Sequence, residues 1–276
     1  MDHDRSEGEA LGVQEYTGIK MKVVEFSKSF ADAVQSKLPE GSNVFLVAAT
    51  LRPETMYGQT SCFVGPKLQY VVVRASTNNY YVMTERGAKN IAFQGQLAEE
   101  FAIPEKLAEV QGSDIIGSVV KAPLSVHGQV RVLPMDTVLA TKGSGVVTSV
   151  PSDSPDDYVT VQTLAKKADF YGIKKEWAEL EIIPIIETPT YGNLTAPELC
   201  KRLKITTPKD TKLAEAKDLA YKEGCVCFPA FAYNLPGLTG VPTASTRVSC
   251  SLARTRDRRQ VGLLPVLTSF CSTLSG

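Results

Sequence analysis

Short apolar runs rich in valine, isoleucine and tyrosine recur along much of the chain, and glycine, proline and asparagine separate them. Runs of this length and composition are typical of β-strands, because β-branched and aromatic side chains pack well on a pleated surface. The pattern therefore predicts a core dominated by a sheet. The predicted strands cover residues 19–26, 43–49, 70–75, 80–84, 130–135, 145–150 and 181–187.

Two segments carry apolar residues at helical spacing between and after these strands. The segment "DDYVTVQTLAKKADFYG" is predicted to begin at an Asp cap and to end at Gly172. The segment "DTKLAEAKDLAYKEG" places Leu213, Ala216 and Ala220 on one face and ends at Gly224. Strands joined by short turns, with helices inserted at intervals, predict an α+β fold: a mixed, barrel-like sheet with peripheral helices.

Composition and charge narrow the classes of protein. The chain has 276 residues, 43% of them hydrophobic, and its 30 basic and 30 acidic residues cancel. A neutral balance supplies no overall field for nucleic acid, so any RNA contact has to come from a local patch. No run approaches the roughly 20 apolar residues of a membrane span, and "MDHDRSEGEA" lacks the pattern of a secretory signal. We therefore expect a cytosolic location and no membrane partner.

Cysteine and histidine usage indicates neither disulfides nor a metal. The six cysteines are not spaced as a disulfide framework, and Cys225 and Cys227 are separated by one residue rather than two. His3 and His127 are the only histidines. Without a recognisable ligand set, we expect no metal and no cofactor.

The composition changes abruptly after Gly224. Residues 225–276 contain no lysine and no glutamate, Asp257 is their only acid, and their five basic residues are all arginine. We expect residues 1–224 to form one domain and residues 225–276 to be an atypical, mostly irregular tail. A shifted reading frame or an aberrant splice would explain the change, and translating the coding DNA in the other frames would test this.

The stretch "TLRPETMYG", residues 50–58, directly follows the apolar run "VFLVAA". In the plain structural interpretation the strand ends, Pro53 fixes a turn, and Glu54 and Thr55 open a helix or loop. A functional interpretation is that this strand end offers hydroxyl groups and a guanidinium to a ligand.

A second segment, "GSGVVTSVPSDSPDDY" at residues 143–158, offers carboxylates after a β-branched strand. Together the two strand ends predict opposite walls of one pocket, suited to a ligand with an ammonium group and phosphates. Gly143 and Gly145 also suggest a phosphate-binding loop, but no Gly-Lys-Ser/Thr follows, which argues against a nucleoside triphosphate. The acidic residues of the turn are Asp153, Asp156 and Asp157.

These segments, together with "MDHDRSEGEALGVQEYTGIKMKV", closely resemble the editing domain, or connective polypeptide 1, of cytosolic eukaryotic leucyl-tRNA synthetases. The resemblance covers about residues 1–224. It implies the editing-domain fold of class I synthetases, hydrolysis of mischarged tRNA(Leu), and two partners: the tRNA(Leu) 3′ end and the remainder of the synthetase. No His-x-Gly-His stretch is present, and "FSKSF" only partly resembles a Lys-Met-Ser-Lys-Ser loop, so we do not expect this chain to activate leucine.

The resemblance also implies roles for individual residues. Asp157 matches the aspartate that binds the substrate's α-ammonium. Thr50 and Thr55 match the motif threonines, and Thr55 crowds leucine so that isoleucyl, methionyl or valyl esters are cleaved instead. Arg52 is expected to contact the terminal adenosine or its phosphate; the alternative is a surface ion pair with Glu54 or another neighbour. The other residues expected to bind substrate are Leu51, Met56, Tyr57, Gly145, Val146 and Val147.

Other functions stay open at this point. Water can attack an activated ester without a histidine base, so editing needs mainly positioning. The alternative is a noncatalytic tRNA- or protein-binding remnant, which the foreign tail favours. A serine hydrolase is disfavoured because no Gly-x-Ser-x-Gly elbow exists and His127 has no evident partner. Asp153 and Asp156 either touch substrate or act as solvated or capping residues.

Overall fold

A mixed β-sheet organises the protein. The computed structural model describes residues 13–98, 101–224 and 268–273. Within these residues there are ten strands: Val13–Glu25 (β1), Asn43–Thr50 (β2), Ser61–Val64 (β3), Gln69–Ser76 (β4), Asn79–Met83 (β5), Ala108–Gln111 (β6), Val119–Lys121 (β7), Gln129–Pro134 (β8), Val146–Ser149 (β9) and Thr268–Thr273 (β10). Their order in the sheet is β6-β4-β5-β2-β1-β7-β8-β3-β9, with β10 paired to β1.

The long strand β1 joins the two halves of the sheet. Residues 13–18 pair with β10 and residues 17–22 pair with β2, whereas Val23 and Glu25 pair with β7 across a register shift. Two pairs, β2 with β5 and β3 with β8, are parallel, and the other pairs are antiparallel. The predicted α+β fold with a mixed sheet is confirmed. In the described residues β6 and β9 are not paired, so the sheet is open rather than a closed barrel.

The helices lie outside the sheet. In the described part of the chain the α-helices are Lys28–Val34 (α1), Glu85–Ala92 (α2), Gly112–Ile115 (α3), Pro155–Lys166 (α4), Ala168–Tyr171 (α5), Thr195–Leu203 (α6) and Leu213–Gly224 (α7). The 3-10 helices there cover Gln35–Lys37, Pro53–Gly58 and Lys175–Ala178. The helices α4, α6 and α7 pack on one another around Leu199, Leu213 and Ala216.

The predicted start of α4 at an Asp cap is wrong. Ser154 is the N-cap residue, and its side-chain oxygen accepts a hydrogen bond from the backbone N–H of Asp157. Pro155 follows as the first helical residue, where a missing N–H costs nothing. The predicted end at Gly172 holds, but a break at Lys167 separates α4 from the short α5.

The prediction of a strand over residues 181–187 is also wrong. Pro184 interrupts this run and cannot donate a ladder hydrogen bond. The segment instead buries Ile185 and Ile186 in the main core. A Cβ on Gly58 would come within 2.4 Å of the Ile185 side chain, so the 3-10 helix at 53–58 packs tightly on this segment.

Most of the tail lies outside the described residues. Only residues 268–273 of the predicted irregular segment 225–276 are described, and they form β10 against β1. Residues 1–12, which contributed to the family resemblance, are likewise outside the described ranges. The predicted domain boundary at residue 224 therefore stays a prediction.

Two buried residues, Tyr70 and Thr84, hold the loop before β9 by hydrogen bonds. The Tyr70 hydroxyl accepts from the Gly65 N–H at 2.9 Å and donates to the Gly145 carbonyl at 2.7 Å. The Thr84 N–H donates to the Ser144 carbonyl at 2.9 Å. Gly145 has a φ of +74°, and a Cβ there would lie 2.3 Å from Thr84 Cγ2. This loop therefore requires glycine at 145.

We expect Tyr70→Phe to lower the free energy of unfolding by about 1–3 kcal/mol, because it leaves a buried N–H and a buried carbonyl without their partner. Urea denaturation measures the change. The matched control is Tyr81→Phe on β5, whose ring packs edge-on against Phe45. The control should change stability by less than about 0.5 kcal/mol. Equal effects of the two substitutions would contradict the assigned hydrogen bonds.

Candidate functional site

The two strand ends singled out in the sequence line one cavity of about 590 Å³. A cavity of this size lies in the range that small-molecule sites occupy. The strand β2 ends at Thr50 on one wall, and β9 leads into α4 on the other; the two strands also contact each other. The lining residues are Tyr16, Ala49, Thr50, Leu51, Arg52, Thr55, Met56, Met135, Thr137, Val138, Leu139, Lys142, Gly143, Ser144, Val146, Val147, Thr148, Val150, Ser154, Pro155, Asp156, Asp157, Lys217 and Tyr221.

The threonine wall, formed by Thr50 and Thr55, is held by hydrogen bonds between these side chains and the backbone of Arg52. Thr50 Oγ1 accepts a hydrogen bond from the Arg52 N–H at 3.2 Å. The Thr55 hydroxyl donates to the Arg52 carbonyl at 2.8 Å, and the Thr55 N–H donates to the same carbonyl at 3.1 Å. Threonine hydroxyls commonly satisfy turn backbone in this way. Thr55 is buried and its hydroxyl is engaged, so it presents bulk to the cavity.

The carboxylate wall centres on Asp157 in the first turn of α4. Its Oδ2 accepts a hydrogen bond from the Val150 N–H at 2.9 Å, and the residue is only 6% exposed. Its pKa is raised to about 7, chiefly by burial; neighbouring Asp156 adds to the rise, and the Val150 and Ser154 hydrogen bonds and the Lys217 charge limit it. A cationic group bound in the cavity would favour the ionised carboxylate.

The other two acids of the turn, Asp153 and Asp156, lie in different surroundings. Asp156 lines the cavity and forms an ion pair with Lys217 of α7. Asp153 is buried behind the lining, where its Oδ2 accepts a hydrogen bond from the Ser152 hydroxyl at 2.5 Å. Burial raises the pKa of Asp153 to about 6, and the Ser152 hydrogen bond and the positive charge of Arg52 limit the rise.

The helix α7 contributes side chains that sequence reasoning missed. The Arg52 guanidinium carbon lies 4.5 Å from the Tyr221 ring centroid, in cation–π geometry. Lys217 and Tyr221 are four residues apart and therefore share a helix face. This spacing in the sequence indicated that Lys217 and Tyr221 lie on one side of the helix. Nothing in the sequence indicated that the helix packs near residue 52. Tyr16 of β1 lines the same cavity and was missed for the same reason.

The remaining predicted binding residues divide into two groups. Leu51, Val146 and Val147 line the cavity, as do Thr50, Arg52, Thr55, Met56 and Asp157. Tyr57 and Gly145 are not among the lining residues, and their carbonyls accept hydrogen bonds from residues elsewhere in the fold. Gly145 thus shapes the loop that carries the lining.

Other kinds of site find little support in the described ranges. No group of three or more metal-ligating side chains occurs there. His127 lies outside the cavity lining, with its Nε2 3.0 Å from the Glu181 carbonyl. No helix among these residues is long and apolar enough to span a membrane.

Comparison with solved structures identifies the class of this fold. The structure described as "The crystal structure of GlLeuRS-CP1" superposes with a TM-score of 0.70 and 33% identity, over 76% of this chain and 86% of that one. The Plasmodium knowlesi cytosolic leucyl-tRNA synthetase editing domain gives a TM-score of 0.69 and 27% identity, over 76% and 84%. The fold is thus that of synthetase editing domains.

Sequence relatives agree with this class. The cytoplasmic leucine–tRNA ligase of Neurospora crassa is 64% identical over 225 residues, which is 81% of this chain and 20% of the relative. The Saccharomyces cerevisiae enzyme is 48% identical over 226 residues, or 81% and 21%. The chain belongs to the leucyl-tRNA synthetase CP1 editing-domain family, as the resemblance indicated. It spans about a fifth of the length of these ligases, and no family model matches it.

The raised pKa values of Asp157 and Asp153 predict a pH-dependent stability. The folded state holds both protons more tightly than the unfolded chain, so their stabilisation is complete below about pH 4 and is lost as the pH rises through about 6 and 7. Asp157→Asn keeps an oxygen for the Val150 N–H. We expect this substitution to abolish the part of the decline in the free energy of unfolding that comes from Asp157, which is up to about 4 kcal/mol.

Urea denaturation at a series of pH values measures this decline. The matched variant Asp153→Asn should remove only the part that ends near pH 6. A decline in Asp157→Asn identical to that of the unsubstituted protein would show that the Asp157 carboxyl is not protonated on folding.

Proposed function

We propose that this chain is the post-transfer editing module of a leucyl-tRNA synthetase. It hydrolyses the ester of tRNA(Leu) mischarged with isoleucine, methionine, valine or a similar amino acid. The observation that carries the proposal is the shared cavity, with Thr50 and Thr55 on one wall and Asp157 on the other. The names of the cytoplasmic relatives support a cytosolic location, with the tRNA(Leu) 3′ end and the rest of the synthetase as partners.

Asp157 holds the α-ammonium group of the substrate. At about 4 Å and an intermediate effective dielectric, this attraction is worth about 4 kcal/mol before desolvation. The bound cation also lowers the pKa of the buried carboxyl, so both partners stay charged near neutral pH. The hydrogen bond from the Val150 N–H fixes the carboxylate, and the carboxylate in turn fixes the position of the ester carbonyl.

Hydrolysis then requires only that a water molecule attack the ester, which is already activated. The water oxygen bonds to the carbonyl carbon, the bond from that carbon to the ribose oxygen breaks, and the ribose oxygen takes up a proton. Thr50 accepts from the Arg52 N–H, which leaves its own hydroxyl proton available to the carbonyl oxygen or the water. Positioning supplies much of the rate in such a site.

Thr55 excludes leucine by its bulk. Binding alone discriminates one methylene by only about 1–3 kcal/mol, so fidelity requires a second site that rejects the cognate product. The hydrogen bonds of Thr55 to the Arg52 carbonyl hold its side chain in place. A rigid wall rejects the γ-branched side chain of leucine more strongly than a flexible wall would, because it cannot move aside.

Arg52 contacts the terminal adenosine or its phosphate. Its guanidinium is already stacked on Tyr221 at the cavity, so little side-chain freedom is lost on binding. The family assignment extends over residues 1–224 in this proposal, with residues 225–276 as a foreign tail.

Asp157→Ala is expected to slow single-turnover hydrolysis of isoleucyl-tRNA(Leu) by about 100-fold or more, because the substrate loses its main electrostatic anchor. The control is Asp169→Ala, an exposed acid on α5, which should leave the rate unchanged. Binding of tRNA without hydrolysis by the unsubstituted chain would instead support a noncatalytic remnant, which the foreign tail favours.

Thr55→Ala is expected to expose leucyl-tRNA(Leu) to hydrolysis, with a rate increase of about 10-fold or more, because a methyl-sized space opens in the cavity. The matched variant Thr55→Val keeps the bulk and removes the hydroxyl, so it should still reject leucine. If Thr55→Ala leaves leucyl-tRNA(Leu) as resistant as before, Thr55 is not the steric gate.

A further inference from the structure

The cavity is lined by three cationic side chains, and two of them already have partners. Lys217 forms an ion pair with Asp156. Arg52 lies on the Tyr221 ring, and its charge lowers the pKa of the neighbouring acid Asp153. Within the described part of the chain, the third cation, Lys142, makes no ion pair or side-chain hydrogen bond. Its charge is thus available to a ligand.

The backbone places Lys142 at the end of β2. The Lys142 N–H donates to the Leu139 carbonyl at 3.4 Å and closes a turn. A Cβ on the next residue, Gly143, would lie 3.1 Å from the Ala49 side chain, directly before Thr50. The loop that follows is held by hydrogen bonds from Tyr70 and Thr84, as described above. Lys142 therefore lines the cavity from a turn beside the threonine wall.

The surroundings of Lys142 differ from the carboxylate wall. The Lys142 side chain is exposed, and two large apolar residues near it in the lining are also open to solvent: Leu139 is 60% exposed and Leu51 is 43% exposed. This part of the lining, which we call the rim, combines apolar surface with one positive charge. The buried acid Asp157 lies deeper. A ligand with a cationic end and an anionic end fits this polarity.

We propose that Lys142 binds a phosphate of the RNA strand whose aminoacylated end occupies the cavity. This inference rests on the proposed editing function. With the ammonium group held at Asp157, the terminal ribose and its 5′ phosphate extend toward the rim. A lysine ammonium is a suitable point charge for a phosphate, and a chain of zero net charge needs such a local contact.

The contact is solvent-exposed, so its effect is moderate and salt-dependent. We expect loss of the Lys142 ammonium to weaken binding about threefold to tenfold at low salt. This lies between the effect of an exposed ion pair and that of a hydrogen bond to a charged group. Loss of one phosphate contact to a single strand should reduce the slope of log affinity against log salt by about 0.7.

The test compares adenosine 5′-monophosphate with adenosine as probes for the full chain, using calorimetry at low salt. The expected result is a preference for the monophosphate that Lys142→Met removes and Lys142→Arg retains. The control Lys121→Met alters an exposed lysine on β7, outside the cavity lining, and should keep the preference. Inorganic phosphate should compete only weakly, because it lacks the nucleoside. No preference in the unsubstituted chain, or one that survives Lys142→Met, overturns the proposal.

Hydrolysis of isoleucyl-tRNA(Leu) separates this inference from the function on which it rests. Lys142→Met should raise the half-saturating tRNA concentration more than it lowers the plateau rate. If the unsubstituted chain hydrolyses the ester and Lys142→Met binds monophosphate normally, only the phosphate contact is wrong. If the monophosphate preference depends on Lys142 but no hydrolysis occurs, the contact stands and the editing function fails. A salt slope that falls in Arg52→Ala and not in Lys142→Met would assign the phosphate to Arg52 instead.

Discussion

The hydrogen bond from the Val150 N–H to the Asp157 carboxylate is the contact on which the rest of the site depends. It joins the end of β9 to the first turn of α4, and it sets the orientation of the one acid that is both deeply buried and open to the cavity. Because burial disfavours the charge, the carboxylate is maintained by this N–H, by the Ser154 cap and by Lys217. Each of these partners also defines a piece of the cavity wall.

The opposite wall is held in a different way: its side chains form hydrogen bonds with nearby backbone groups, and these bonds restrict their movement. The threonines at 50 and 55 bond to the backbone of residue 52, and the loop before β9 is held by Tyr70 and Thr84. Preorganisation by the scaffold is what such a site contributes when the substrate bond is already reactive.

The sequence predicted the strands β1, β2, β4, β5, β8 and β9, the helix α7 and most of the cavity, because these depend on local periodicity and on contiguous motifs. It missed β3, β6 and β7, which have only three or four residues each, and β10 in the tail. The exceptions have specific physical causes. Residues 181–187 were predicted as a strand from their apolar content, yet the segment forms no continuous ladder: Pro184 cannot donate a ladder hydrogen bond, and Ile185 packs on the 3-10 helix at 53–58. Asp caps and Ser caps are chemically similar, so the start of α4 was misplaced. Lys217 and Tyr221 reach the cavity only through packing of α7 on α4, which no local pattern encodes.

The helix α7 reaches both walls of the cavity with two side chains that lie four residues apart. Tyr221 stacks on Arg52 at the threonine wall, and Lys217 pairs with Asp156 at the carboxylate wall. Any displacement of α7 would therefore alter both walls together, because the guanidinium would lose its ring at the same time as the carboxylate lost its cation.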